Sequence, residues 1–478
     1  MTRQDLWIAT AAVSLLATLA NSQTSAPVSS SLPSDAKIRA LLVDRIDVQH
    51  RTVGIVVGII TPQGRRIISY GKPDRDTPRL LDGDTIFEIG SVTKVFTALL
   101  LADMAKRGEV ALTDPVAKYL PAGVKTPERG GRQITLVDLA TQTSGLPFWP
   151  TNFPLPEETA AYSKYTVEQL YQFLSDYQLL RDIGVRWEYS NLGVGLLGHA
   201  LSRRAGADYE GLVRARITGP LGMESTAITI SPRMKDRLAV GHDARLQPAP
   251  GWEAPVFAGA GSLRSSANNL LTFLGAFLGY TESPLAPAMA LMLKTRRPGD
   301  ETLTYLGAEQ ALGWWVLGRG EDQVMAHGGD TLGFSSSVAY HSKTRVGVVV
   351  LANSANSADD IAMHLLRPSY PLSKPQVPKM RQEITVDPKL FDLYAGKYQA
   401  APNVIFVIER RGDTLRFLGP LAPLVRLHAE SERRYFIADS DVEITFQVDA
   451  QGRATGLILQ LGELPIPAQR IESAAKKP

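Results

Sequence analysis

The spacing of apolar and polar positions changes period several times along the chain, and each change predicts an element. Residues 35–47 have helical spacing, whereas 53–60 is a β-branched run that Thr61-Pro62-Gln63-Gly64 turns back into 65–70, predicting a strand hairpin. After Gly90, the residues Val95, Phe96, Leu99, Leu100 and Met104 recur at helical spacing and Gly108 stops them, predicting a helix buried on one broad face. Between Asp114 and about Met289 the pattern is mostly helical, clearest over 136–141, 167–177, 192–204 and 268–277. Strand patterns then return over 324–327, 336–340 and 346–352 as a meander. Strands, a helical insert and returning strands predict an α/β (α+β) domain, with a mixed sheet flanked by helices and a largely helical subdomain.

Pro368, Pro371, Pro375 and Pro378 interrupt regular structure and predict a linker. Beyond it, 404–408, 414–417, 424–427, 434–437, 443–448 and 456–460 alternate with turn signals such as Arg411-Gly412-Asp413, predicting a small antiparallel barrel or sandwich. At the other end, Arg3 precedes an apolar run from Leu6 to Ala20, and small residues follow at Ala20-Asn21-Ser22 and Thr24-Ser25-Ala26. This reads as a secretory signal peptide, which places the mature protein in the periplasm or outside the cell. The run is short for a membrane span, and no later segment approaches that length, so no stable span is expected in the mature form. The resulting plan is a signal peptide over 1–22, a principal domain over 35–366, a linker over 367–384 and a β-barrel over 385–472.

Composition narrows the chemistry. The 478 residues are 44% hydrophobic and 21% charged with a formal net charge of +3, and no basic run suggests nucleic acid. The absence of cysteine excludes disulfides and thiolate metal sites. Seven scattered histidines without a His-Glu-x-x-His pattern give no basis for a metal, and Gly-x-Ser-x-Gly is absent too.

The candidate chemistry lies in Ser91-Val92-Thr93-Lys94. On a helix, Lys94 at i+3 reaches the Ser91 hydroxyl, and a desolvated amine can accept its proton. Taken alone, the pair suits an N-capping serine and a solvated lysine equally well. Ser473 and Lys476 repeat the spacing in a polar tail with no apolar helix around them, a coincidence of composition. Two further motifs change the balance: Tyr189-Ser190-Asn191, 98 residues after Ser91, and His327-Gly328-Gly329 at a predicted strand end.

Together these resemble the three motifs of the penicillin-recognising serine hydrolases, which include class C β-lactamases, D,D-peptidases, D-aminopeptidases and esterases of the same fold. The resemblance spans 35–366 and extends to Leu112-Thr113-Asp114-Pro115-Val116, to the stretch from Leu139 to Pro147, and to Ala258-Gly259-Ala260-Gly261-Ser262-Leu263. It implies that Ser91 is the nucleophile, Lys94 its proton acceptor and Tyr189 a proton relay to the leaving group and to deacylating water. Asn191 would hold Lys94 and the acyl amide, with His327, Gly328, Gly329 and Asp330 lining the substrate. The backbone N–H groups of Ser91 and Asp330 would form the oxyanion hole.

No cofactor is implied, and the expected partner is a small-molecule or peptide substrate. The C-terminal segment is similar to the lipocalin-like module often appended to this family. Two positions depart from the family pattern: His327 stands where lysine is usual, and Gln142 where histidine is common. The resemblance therefore implies hydrolysis of β-lactams or D-Ala-type peptidoglycan peptides, with a carboxylesterase or D-aminopeptidase as the enzymatic alternative. A slow-deacylating penicillin-binding sensor is the alternative of another class.

Overall fold

The computed structural model describes residues 32–153, 161–299, 309–355, 359–373, 381–401, 404–419, 425–437, 442–461 and 464–471. The expected signal peptide, the Ser473/Lys476 pair and positions 374–380 of the linker lie outside them. The described residues divide into two compact units, one within Gln23–Phe153 and Tyr162–Ser373, the other within Lys374–Pro478.

The first unit is built on an eight-stranded sheet. Its strands are β1 (Gly54–Thr61), β2 (Gly64–Gly71), β3 (Arg296–Pro298), β4 (Glu309–Ala311), β5 (Trp315–Leu317), β6 (Val324–Asp330), β7 (Ser335–His341) and β8 (Val346–Ala352), in the order β2-β1-β8-β7-β6-β5-β4-β3. The expected hairpin and meander supply five of these strands. Every described ladder is antiparallel, because hairpins join neighbours and β1 pairs with β8 from Ile55↔Ala352 to Ile60↔Gly347. That long-range ladder joins the two ends of the unit. Helices cover both faces: α1 (Asp35–Val43) and a later helix, Asp359–Leu366, share a core with Ile55, Val57, Ile59, Val348 and Val350. On the opposite face Leu271, in the helix Ala267–Phe277, lies 3.0 Å from where a Cβ on Gly58 would be. Burial on both sides is why β1 and β8 read as continuous apolar runs rather than alternating ones.

The helix after Gly90, α2 (Thr93–Lys106), is buried all round from Thr93 to Met104 rather than on one face. It packs against the helices Ala286–Lys294, Asn191–Ala205 and Ala258–Gly261, so no side remains for solvent over most of its length.

The C-terminal unit is a closed barrel of eight strands in sequential order, Gly396–Ala401 closing on Leu464–Ile471. Inward residues alternate as expected, for example Val442, Ile444 and Phe446. The two closing strands and the short helix Lys389–Tyr394 carry no clear sequence signal. Pro465 and Pro467 argue against a strand. Among the described residues they pair with Gln460 and Ile458, while the ladder to Gly396–Ala401 uses Gln469, Arg470 and Ile471.

A buried ion pair ties the N-terminal helix region to the far end of the first unit. Arg45 meets Asp360, whose carboxylate also accepts the Ser373 N–H at 2.7 Å and its hydroxyl at 2.8 Å. Removing one partner leaves the other charge uncompensated. Asp360→Ala is expected to lower unfolding free energy by about 3–5 kcal/mol, measurable by chemical denaturation, and an unchanged midpoint would contradict this.

Candidate active site

The Ser91 turn is positioned by backbone packing. The strand Ile86–Glu88 pairs with Arg264–Ser266, and the Ile89 N–H donates to the Leu263 carbonyl at 3.0 Å. Gly90 then adopts φ +45°, and a Cβ there would lie 2.8 Å from the Asp330 nitrogen. A Cβ on Gly329 would meet the Ile89 carbonyl oxygen at 2.1 Å and the Ser91 nitrogen at 2.7 Å. The end of β6 thus crosses the turn with only backbone between them, which explains glycine at both positions. Ser336, on the neighbouring strand β7, donates its hydroxyl to the Ile89 carbonyl at 2.8 Å. These constraints place Ser91 in a 3₁₀ turn, Gly90–Val92, and the α-helix starts only at Thr93.

Lys94 is 1% exposed. Its Nζ lies 2.8 Å from Ser91 Oγ, 2.7 Å from Asn191 Oδ1 and 2.7 Å from the Ala260 carbonyl oxygen. The first two contacts were legible in the motifs; the third comes from an element for which the sequence suggested no role. Thr93 accepts the Leu263 N–H at 3.1 Å and Thr97 donates to the Gly259 carbonyl at 2.6 Å, fastening α2 to the 258–263 segment. The helix α3 (Asn191–Ala205) approaches the same segment where Gly198 faces Gly259, a Cβ on Gly198 falling 3.0 Å from the Gly259 Cα. Small residues at this crossing let the Ala260 carbonyl reach the amine.

Burial holds the Lys94 amine well below its ordinary pKa. None of the three oxygens around it is a carboxylate, so no opposite charge offsets the burial. The Tyr189 ring centroid is 4.8 Å from Nζ, and the ring is half-buried among Phe148, Trp187 and His327. Ser190 caps α3 by accepting the Gly193 N–H at 2.8 Å, which fixes Asn191 at the first helical position.

The geometry is a desolvated lysine beside a serine hydroxyl, with an aromatic hydroxyl residue across from them. A family model described as Beta-lactamase matches residues 35–367. The chain belongs to the β-lactamase family. Among its relatives, the D-alanyl-D-alanine-carboxypeptidase/endopeptidase AmpH of Escherichia coli (strain K12) is 29% identical, over 62% of this chain and 78% of the relative. A Beta-lactamase of Pseudomonas fluorescens is 28% identical over 64% of this chain and 89% of its own length. Two solved structures share the fold at TM-score 0.57: a class C beta lactamase from Rhodobacter sphaeroides and a Beta-lactamase/D-alanine Carboxypeptidase from Yersinia pestis. The first is 28% identical and covers 66% of this chain and 94% of that one; the second is 27% identical, covering 68% and 94%. The chain is therefore a serine hydrolase of the β-lactamase/transpeptidase fold, with a closed β-barrel following it.

Within this β-lactamase-family site, His327 is 2% exposed and stacks on Trp315, ring centroids 4.6 Å apart and 16° from parallel. Its Nδ1 donates to the Gly328 carbonyl at 2.6 Å. Burial, with the nearby Lys94 charge, lowers its pKa to about 3, so the ring is neutral across the physiological range. Gly328 and Gly329 are buried in β6, and Asp330 ends that strand half-buried, its carboxyl raised to about 6 by burial. Sequence reasoning missed Ala260, Ser336 and Trp315. The first lay inside a quoted small-residue stretch, but a backbone carbonyl leaves no signature in side-chain pattern.

The His327 ring gives a signed pH dependence. The unfolded chain binds its imidazole proton below about 6.5 and the folded protein only below about 3. Between these values the unfolded state holds more protons, so stability falls as pH drops through this window. His327→Gln is expected to remove part of that acid-limb slope, worth on the order of a few kcal/mol. Denaturation midpoints for both proteins across the window test this, and parallel curves would refute it.

Proposed function

We propose that this β-lactamase-family member is an exported serine hydrolase that forms an acyl-enzyme on Ser91 and acts on β-lactams or D-alanyl peptides. The observation that carries the reading is the set of three uncharged oxygens around a buried Lys94 amine, none of them a carboxylate. A neutral amine has two N–H donors and one lone pair. With the donors engaged by Asn191 Oδ1 and the Ala260 carbonyl, the lone pair faces the Ser91 hydroxyl. Export rests on the charged, apolar and small-residue succession at the N-terminus.

In this mechanism the Ser91 oxygen attacks the substrate carbonyl carbon while its proton passes to Lys94 Nζ. Negative charge gathers on the carbonyl oxygen, which the Ser91 and Asp330 N–H groups receive. The close backbone packing of the Gly90 turn against the end of β6 at Gly329 supports such a pairing of amides. The C–N bond to the leaving group then breaks, and the proton held by Lys94 reaches the departing nitrogen through the Tyr189 hydroxyl. Water, giving its proton back along the same route, cleaves the Ser91 ester and releases the acid. Asn191 keeps Lys94 in place throughout.

A second reading is favoured by His327. Neutral and stacked on Trp315, it offers no permanent cation for a substrate carboxylate, whereas lysine would. Esters of uncharged acyl groups need no such anchor, and the same residues would cleave a C–O bond.

Incubation with a fluorescent penicillin is expected to label the wild type and not Ser91→Ala, and Lys94→Ala should acylate roughly 10²–10⁴-fold more slowly. Equal labelling of Ser91→Ala overturns the assignment. Rates on nitrocefin, a D-alanyl-D-alanine peptide and p-nitrophenyl butyrate separate the two readings: a preference for the uncharged ester favours the esterase.

A further inference from the structure

Tyr189 has a holder. The Oε1 atom of Gln142 accepts the Ser190 N–H at 2.8 Å, and the Gln142 backbone carbonyl accepts the Glu188 N–H at 2.7 Å. One residue thereby grips the chain immediately before and after Tyr189. The grip is reinforced nearby, where the Ser190 hydroxyl donates to the Pro147 carbonyl at 2.6 Å.

Gln142 is itself firmly placed. It follows the helix Leu136–Ala140, which starts in a capping box between Thr135 and Asp138. The Thr141 N–H donates to the Val137 carbonyl at 2.9 Å, and the Thr143 N–H to the Asp138 carbonyl at 2.9 Å. Gln142 is 4% exposed and adopts φ +59°. A side chain with a Cβ enters that left-handed region reluctantly, and such outliers collect where function demands them. Here the conformation lets the carbonyl and the side chain serve the same strip of chain.

The residue type also matters. An amide oxygen accepts a hydrogen bond whatever the pH, and glutamine is long enough to span to the Ser190 N–H. Leucine has nearly its shape and no acceptor. Histidine, common at this place in the family, accepts only through an unprotonated ring nitrogen.

We propose that Gln142 is the positioning residue of Tyr189, holding the phenol beside Lys94 so that the proton can pass between amine and leaving group. The proposal rests on the reading of Tyr189 as proton relay. Gln142 touches neither substrate nor the reacting atoms and acts only through the segment it grips.

A double-mutant cycle on the full-length protein tests it, with turnover of ethyl butyrate, whose alkoxide needs a proton to leave, and intact-mass decay of the acyl-enzyme as readouts. Tyr189→Phe and Gln142→Leu are each expected to lower kcat, the latter by roughly tenfold with KM little changed. The double variant should be no slower than Tyr189→Phe alone, since a misplaced phenol and an absent one are equivalent. Gln142→His, which keeps an acceptor, should restore most of the lost kcat near neutral pH. Multiplicative losses in the double variant overturn the proposal, because a residue that merely supports the fold would act whether or not the phenol is present. Wild-type kcat in Tyr189→Phe overturns the relay reading and the proposal with it, while loss of turnover in Ser91→Ala shows that the nucleophile assignment survives either result. If leucine prevents folding, Gln142→Gly, which accepts the positive φ and has no side chain to reach Ser190, takes its place in the cycle.

Discussion

The buried amine of Lys94 is the constraint around which the first unit is arranged. A lysine at 1% exposure without a carboxylate partner needs its N–H groups satisfied, and burial pushes it toward its uncharged form. Three separate parts of the chain meet that demand: the Ser91 turn, the start of α3 at Asn191 and the Ala260 carbonyl. Each is brought in by its own device, namely glycine-to-glycine backbone packing, a serine N-cap and a small-residue helix crossing. The burial that costs free energy is also what lowers the amine's pKa.

The antiparallel sheet supplies the rigidity this arrangement needs. β6 carries His327 to Asp330 past the Ser91 turn, and β7 adds Ser336 as a second tie to the Ile89 carbonyl. Because Gly329 leaves no room for a Cβ, the spacing between β6 and the turn is set by backbone atoms, which cannot adjust through rotamers. Side-chain variation is left to the walls of the site. There His327 is neutral and stacked on Trp315, and Gln142 holds the chain on either side of Tyr189.

Much of the architecture was legible because it is local. Residues 346–352 were expected as a strand and form one, the helices at 136, 167, 191 and 267 begin within a residue of expectation, and the barrel strands follow period-two patterns. The short strands Arg296–Pro298, Glu309–Ala311 and Trp315–Leu317 were not legible, since three residues give no periodicity and their pairing comes from tertiary contact. The barrel strand Leu464–Ile471 was hidden by its prolines, which argue locally against a strand although both pair with Ala454–Leu461.

The sequence by itself determined the identity and order of the chemical groups: a serine with a lysine three residues on, a Tyr-x-Asn motif and a His-Gly-Gly strand end. Those are covalent facts that spacing preserves. Only the tertiary structure decided the environment of the lysine, because its pKa is lowered by burial. Tertiary structure likewise decided that His327 is neutral and that Gln142 grips both neighbours of Tyr189. Desolvation and long-range hydrogen bonds arise from residues far apart along the chain, and no local pattern encodes them.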